Sequence, residues 1–274
     1  MKLFRDTLGY DYLGNWIDRE GNANIEPALL RAWLEKRGVD DALIERALYV
    51  LDKAAGDTSK SLYDRNRDVY ELLRYGVKVR ADVGENTQTV WLIDWRHPQN
   101  NDFAIAEEVA IAATDPKAFG KRPDVVLYVN GIALGVLELK RSTVSVAEGI
   151  RQNLDNQNKV FIEHFFSTMQ WVMAGNDTEG LRYGTIQTPE KYYLNWKEQS
   201  PVENSLDRAL IQLCGNGPIP SCRSLLTAHG SSKVCAVMNM TTSEFRGVIS
   251  MPPAIHHSAF IINDFLPPFS FRLH

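Results

Sequence analysis

Residues 122–141 read RPDVVLYVNGIALGVLELKR: two apolar runs joined by Asn130-Gly131, with Asp124 at the entrance and Glu138-Leu139-Lys140 at the exit. Asn-Gly between apolar runs signals a β-hairpin, because both residues tolerate left-handed backbone. The runs are apolar nearly throughout, as in strands covered on both faces. Successive side chains of a strand alternate between faces, so Glu138 and Lys140, two apart, share one.

Whether Asp124 joins them depends on the turn. A plain two-residue loop sets Val129 against Ile132 and Asp124 against Leu137, on the far face. A three-residue loop with Gly131 as a left-handed bulge sets Tyr128 against Ile132 and Asp124 against Val136, which puts all three on one face. The second register is the expected one. Two carboxylates a few ångströms apart in a half-buried place repel unless a cation sits between them. Oxygen donors of that kind suit Mg²⁺, with Mn²⁺ as an alternative, and a lysine alongside can hold a water or a developing oxyanion. That is the chemistry of phosphodiester hydrolysis. A solvated edge strand would give the same letters; Leu137 and Leu139 on either side of Glu138 favour a buried one.

Working outward, residues 26–37 and 40–55 carry apolar residues at helical spacing, with Pro27 suited to a first turn and Asp40 to an N-cap, and read as a helical hairpin. Residues 61–75 form a third helix ended by Gly76, and VKVRA and QTVWLI two strands around the turn at 84–86. Residues 103–111 continue that sheet, 146–158 form a helix with Ile150 and Leu154 on its buried side, and MQWVMA and LRYGTI give two further strands. The order predicts an α/β fold with a mixed sheet flanked by helices.

The 274 residues are 44% apolar, enough to bury a real core, and their net charge of −4 argues against coating nucleic acid by bulk positive charge. The start, MKLFRDTLGY, has no signal-peptide character, and no run approaches the roughly 18 apolar residues that span a bilayer. The expected location is the cytoplasm. Cys214, Cys222 and Cys235 are irregularly spaced and form no zinc pattern. Beyond Cys214 the text turns proline-rich and poor in charge, which suggests a reading-frame change and an atypical tail at 215–274.

Pro123-Asp124 followed by Glu138-Leu139-Lys140 resembles the PD-(D/E)xK nuclease motif. Together with YLGNWIDREGN, ELLRYGVKV, IDWRHPQNNDFAIAEEV, FFSTMQWVMAGNDTEGLRYGTI and YYLNWKE, it resembles the N-terminal endonuclease region of the R subunit of type I restriction enzymes, from about residue 10 to 214. The resemblance implies a restriction-endonuclease-like domain over 61–214 behind an N-terminal helical segment, 1–60. It also implies cleavage of double-stranded DNA in a complex with methylation and specificity subunits. ATP would serve a motor whose phosphate loop this sequence lacks. Carried over, Asp124 and Glu138 match the metal ligands and Lys140 the catalytic lysine. A third acid is Glu71 from the preceding helix, or Glu107 or Glu108 from the first strand. Gln152 matches the family's helix glutamine, although Asn156 stands where that pattern has tyrosine. Lys121, Arg122, Arg141 and Arg151 form a candidate DNA-binding groove, while His97 and His164 read as structural or surface residues. A second reading stays open, a folded remnant that binds DNA or docks a subunit without cutting.

Overall fold

The computed structural model describes residues 1–195. The end of the expected nuclease domain, the three cysteines and the tail at 215–274 lie outside the described residues. The hairpin consists of β5 (Val125–Val129) and β6 (Ile132–Leu139). Its turn differs from expectation: Asn130 and Gly131 both have positive φ, 52° and 80°, and Val129 pairs with Ile132. This is the two-residue turn. The extra residue sits further along, as a bulge at Leu134, because Tyr128 pairs with Ala133 but Leu127 with Gly135. That bulge restores the parity the short turn would have lost. Val126 then faces Val136 and Val125 faces Leu137, so Asp124, one step on, falls opposite Glu138.

Packing explains why the turn is tight. A Cβ on Gly131 would lie 2.7 Å from Leu29 Cβ and 2.9 Å from Glu26 O, at the start of helix α1 (Pro27–Lys36). Asn130 Nδ2 donates to Leu92 O and Asn101 Oδ1, and its Oδ1 accepts from Asp102 N. Asn101 in turn binds both backbone groups of Asp94, whose carboxylate takes Arg37, Asn100 and two backbone N–H groups. The IDWRHPQNND stretch is therefore a polar clamp on a buried turn, and His97, at its edge, is exposed.

Around the hairpin lie β1 (Asp11–Asn15), β4 (Phe103–Glu107), β7 (Trp171–Asn176), β8 (Gly180–Gly184) and β9 (Leu194–Asn195), in a seven-stranded sheet of order β1-β4-β5-β6-β7-β8-β9. β1–β4 and β6–β7 are parallel and the other pairs antiparallel, so the sheet is mixed. The stretch 1–60 is thus not helical throughout, since β1 belongs to the main sheet. β2 (Val77–Val79) and β3 (Gln88–Val90) pair only with each other, whereas the sequence reading had them continue into β4.

Helix α2 (Asp41–Gly56) is capped by Asp40, which accepts from Ala42 N, and α3 (Leu62–Tyr75) by Ser61, which accepts from Asp64 N. Helix α4 (Val146–Asn156) links parallel β6 to β7. Its Val146 and Ile150 pack with Phe165 and Phe166 over Val126, Tyr128, Val136 and Val172 of the sheet. No helix among the described residues is long and apolar enough to cross a membrane.

Candidate active site

The centre lies where β5 begins and β6 ends, under α4. Asp124 is half-buried and held from two sides: its carbonyl accepts from Glu108 N at 2.9 Å and its Oδ2 from Leu139 N at 2.7 Å. Glu138 is 0% exposed, and neither of its oxygens meets a hydrogen-bond donor among the described residues. Burial, reinforced by the negative charge of Asp124 and opposed by Lys140, pushes its carboxyl up to about 8 from the ordinary 4.5. As carboxylates the two acids repel; with a proton on Glu138 they share it. Leu139 points the other way and is exposed, so burial at this strand end is confined to the Glu138 side.

Lys140 extends the β6 ladder, its N–H donating to Gly175 O at 2.9 Å. Its Nζ donates to Gln152 Oε1 at 2.6 Å and stands 3.8 Å from Glu138 Oε2. Gln152 reaches it because Gly149, one turn earlier, brings α4 onto the sheet. A Cβ at Gly149 would lie 3.0 Å from Ala174 Cβ and 3.5 Å from both Glu138 Cβ and Lys140 Cε. Sequence reasoning missed Gly149; its only signal was a glycine beside buried Ile150 on an otherwise good helix. Glu179, also missed, accepts from Val146 N at 3.0 Å and closes the N-terminus of α4. Asn156 is buried, and its carbonyl accepts from Ile162 N, so this position builds the chain reversal after α4.

The candidate third acids separate. Glu107 pairs with Val125, which puts it on the far face, and it accepts from Tyr12 OH. Glu71 is exposed on α3, whose buried face packs on α2 and the turn at 163–168. Glu108 is the one whose charge reaches Glu138. Its own carboxylate, however, lies 2.6 Å from Arg122 Nε. Among the described residues, no three His, Cys, Asp or Glu side chains are assembled as a ready metal cage.

Three of the four candidate groove residues are ion-paired. Lys121 meets Asp155 at 2.5 Å and lies over the Phe161 ring, Arg122 meets Glu108, and Arg151 meets Glu148 and Glu190. Arg141 is exposed and makes no ion pair among the described residues. His164 Nδ1 contacts Thr114 Oγ1, a structural role.

Over residues 1–191 the chain matches the family described as "Type I restriction enzyme R protein N terminus". It is 29% identical over 153 residues to the type I restriction enzyme HindI endonuclease subunit of Haemophilus influenzae, covering 54% of this chain and 14% of that protein. It is 31% identical over 221 residues to a Methanocaldococcus jannaschii protein provisionally named type I restriction enzyme MjaIXP endonuclease subunit, covering 77% of this chain and 21% of that protein. The chain thus spans between 14% and 21% of the length of these curated relatives.

Proposed function

Because this chain belongs to the family described as the N terminus of the type I restriction enzyme R protein, we propose that its sheet is a PD-(D/E)xK nuclease sheet whose Asp124, Glu138, Lys140 and Gln152 cut double-stranded DNA. The observation that carries the reading is Asp124 directly opposite a fully buried Glu138, with Lys140 on the same side held by Gln152. A buried carboxyl with no donor is costly in a domain that needs only to be stable. Its two oxygens, unpartnered among the described residues and beside a second acid, suit a hard divalent cation, Mg²⁺ or Mn²⁺. Asp124 and Glu138 would hold it, with Glu108 next in the row.

A divalent cation held by these acids would supply charge to offset the phosphate and polarise a phosphoryl oxygen. The chain supplies the rest. Asp124 is kept in place by the Leu139 N–H, so its position does not depend on the ligand. Glu138 gives up its proton before it can ligate. Lys140, steered by Gln152, offers a fixed ammonium to the oxygen on which charge develops and to the attacking water. Arg141 is free to meet a neighbouring phosphate, which positions the duplex without reading its sequence.

In the complete enzyme this centre acts with an ATP-driven motor and with methylation and specificity subunits, and the specificity subunit chooses the DNA site. The test is a complex rebuilt with a full-length R subunit carrying Asp124→Asn. Plasmid cleavage in Mg²⁺ should be lost while ATP hydrolysis continues, with EDTA as the control. Cleavage at the wild-type rate by this variant would refute the reading.

A further inference from the structure

Glu108 and Asp124 continue the pairing of β4 with β5 one step beyond Glu107 and Val125, and the Glu108 N–H donates to the Asp124 carbonyl. Asp124 continues β5 against β6 toward Glu138. The three acids therefore lie in one row across three neighbouring strands, spaced by roughly 4.8 Å per strand. Only two of them converge. Glu108 has φ of +52°, a conformation that residues other than glycine rarely adopt, and this breaks the alternation of side chains at the strand end. Its Oε2 lies 2.6 Å from Arg122 Nε, an ion pair without hydrogen-bond alignment, on a lip where the Arg122 side chain is 50% exposed. Beside it, neither buried oxygen of Glu138 meets a hydrogen-bond donor among the described residues.

We infer that Arg122 is a lock on the third metal ligand: it holds Glu108 away from the cation site until cation and phosphate arrive together. The inference rests on the metal-site reading above. A carboxylate drawn to a guanidinium is a poorer ligand, because the cation must compete with a charge already in place. When Glu108 swings to a cation between Asp124 and Glu138, Arg122 loses its partner. A freed guanidinium on the lip of the site is suited to bidentate contact with a DNA phosphate. The exchange couples two ligands that do not touch the same residue, and the coupling is reciprocal: cation strengthens the grip on duplex, and duplex strengthens the grip on cation. A fixed anchor holding Glu108 ready for the cation would behave in the opposite way, since removing Arg122 would then weaken metal binding.

The experiment follows the melting temperature of the full 274-residue chain as Mg²⁺ is titrated without DNA. Arg122→Gln should move the midpoint of the Mg²⁺-induced rise to lower concentration by about two- to fivefold, the scale of a half-exposed ion pair. In a Glu108→Gln background the same substitution should leave the midpoint where it is. An unchanged or raised midpoint for Arg122→Gln overturns the lock. So does a gain that survives in the Glu108→Gln background, since Arg122 would then act only as a repelling charge. In a Lys140→Ala background, where duplex stays uncut, Mg²⁺ should tighten binding of a short duplex, and Arg122→Gln should remove that gain; a gain that remains also overturns the proposal. No Mg²⁺ response in the wild type would sink the metal site itself. A wild-type response abolished by Asp124→Asn but indifferent to Arg122→Gln would sink the lock alone.

Discussion

Lys140 Nζ is 2.6 Å from Gln152 Oε1 and 3.8 Å from Glu138 Oε2, so the helix, not the neighbouring acid, sets where the ammonium points. This separates directing the lysine from having it. Gln152→Leu should leave the melting temperature within about 3 °C, since the side chain is only half-buried and an average hydrogen bond contributes ~1 kcal/mol. Cleavage in the rebuilt complex should fall about tenfold, against a hundredfold or more for Lys140→Ala. Gln152→Glu should behave differently again: it keeps the acceptor, adds an ion pair and draws the ammonium from the phosphate. Equal cleavage by Gln152→Leu and wild type would show that the contact is only structural.

The facing acids predict that stability and function separate. At pH 7.5 the fold keeps a proton on Glu138 that the unfolded chain releases, and Glu138→Gln, which cannot ionise, escapes that cost; without metal the chain should therefore melt at least about 2 °C higher, the shift that ~1 kcal/mol gives in a chain of this size. The same variant should lose the rise that Mg²⁺ gives the wild type, because a ligand stabilises only the fold that binds it. Differential scanning calorimetry with and without 10 mM Mg²⁺, about a saturating concentration for such sites, measures both. A variant that melts lower than wild type in EDTA would mean that Glu138 is a structural residue.

How much of this was legible depends on how local the signal was. The caps Asp40 and Ser61, Pro27 at a helix start and the Asn-Gly turn act within a few residues, and each element they mark is present. The shared face of Asp124 and Glu138 was also legible, although for the wrong reason. The parity shift was assigned to Gly131, the one residue whose letter advertises left-handed backbone. It belongs to Leu134, which is as apolar as its neighbours and gives no sign of a bulge. Strand β1 was missed because DYLGN is short and is held by β4, some ninety residues away. The ion pairs of the basic residues were not legible either: the partners of Lys121 and Arg151 are Asp155 and Glu190, at separations along the chain that no pattern spells out.

Gly149 tests whether the close approach of α4 is needed. Valine there adds bulk against Ala174, Glu138 and Lys140, where even a Cβ sits at 3.0 to 3.5 Å, and overpacking of this kind costs about 1–3 kcal/mol. Alanine should be nearly neutral in stability, since about 1 kcal/mol of helix propensity offsets the tight contact with Ala174 Cβ. Urea melts should rank wild type and Gly149→Ala together and Gly149→Val well below. If Gly149→Val matches wild type in both stability and cleavage, the helix has room to spare and the spacing is not a determinant of the site.

The last expectation concerns pH, because Glu138 holds its proton up to about 8 in the fold but releases it near the ordinary 4.5 when the chain unfolds. Between those values the native state binds more protons than the unfolded one, so its contribution to stability is fully present below pH 4.5, declines as pH rises toward 8, and is flat above. A divalent cation needs the carboxylate, so binding expels the proton, and apparent Mg²⁺ affinity should climb by up to about tenfold per pH unit before levelling above 8. The two trends run in opposite directions from one group. Other carboxylates and histidines titrate across the same range, so the informative quantity is the difference in melting temperature between wild type and Glu138→Gln, followed from pH 5.5 to 9 with EDTA and then with Mg²⁺. In EDTA the wild type should fall progressively below the variant as pH rises. With Mg²⁺ it should regain the lost ground, most completely at the alkaline end. A difference that stays constant across the range in both conditions would mean that Glu138 ionises at an ordinary pH, and the case for a cation between it and Asp124 would lose its electrostatic basis.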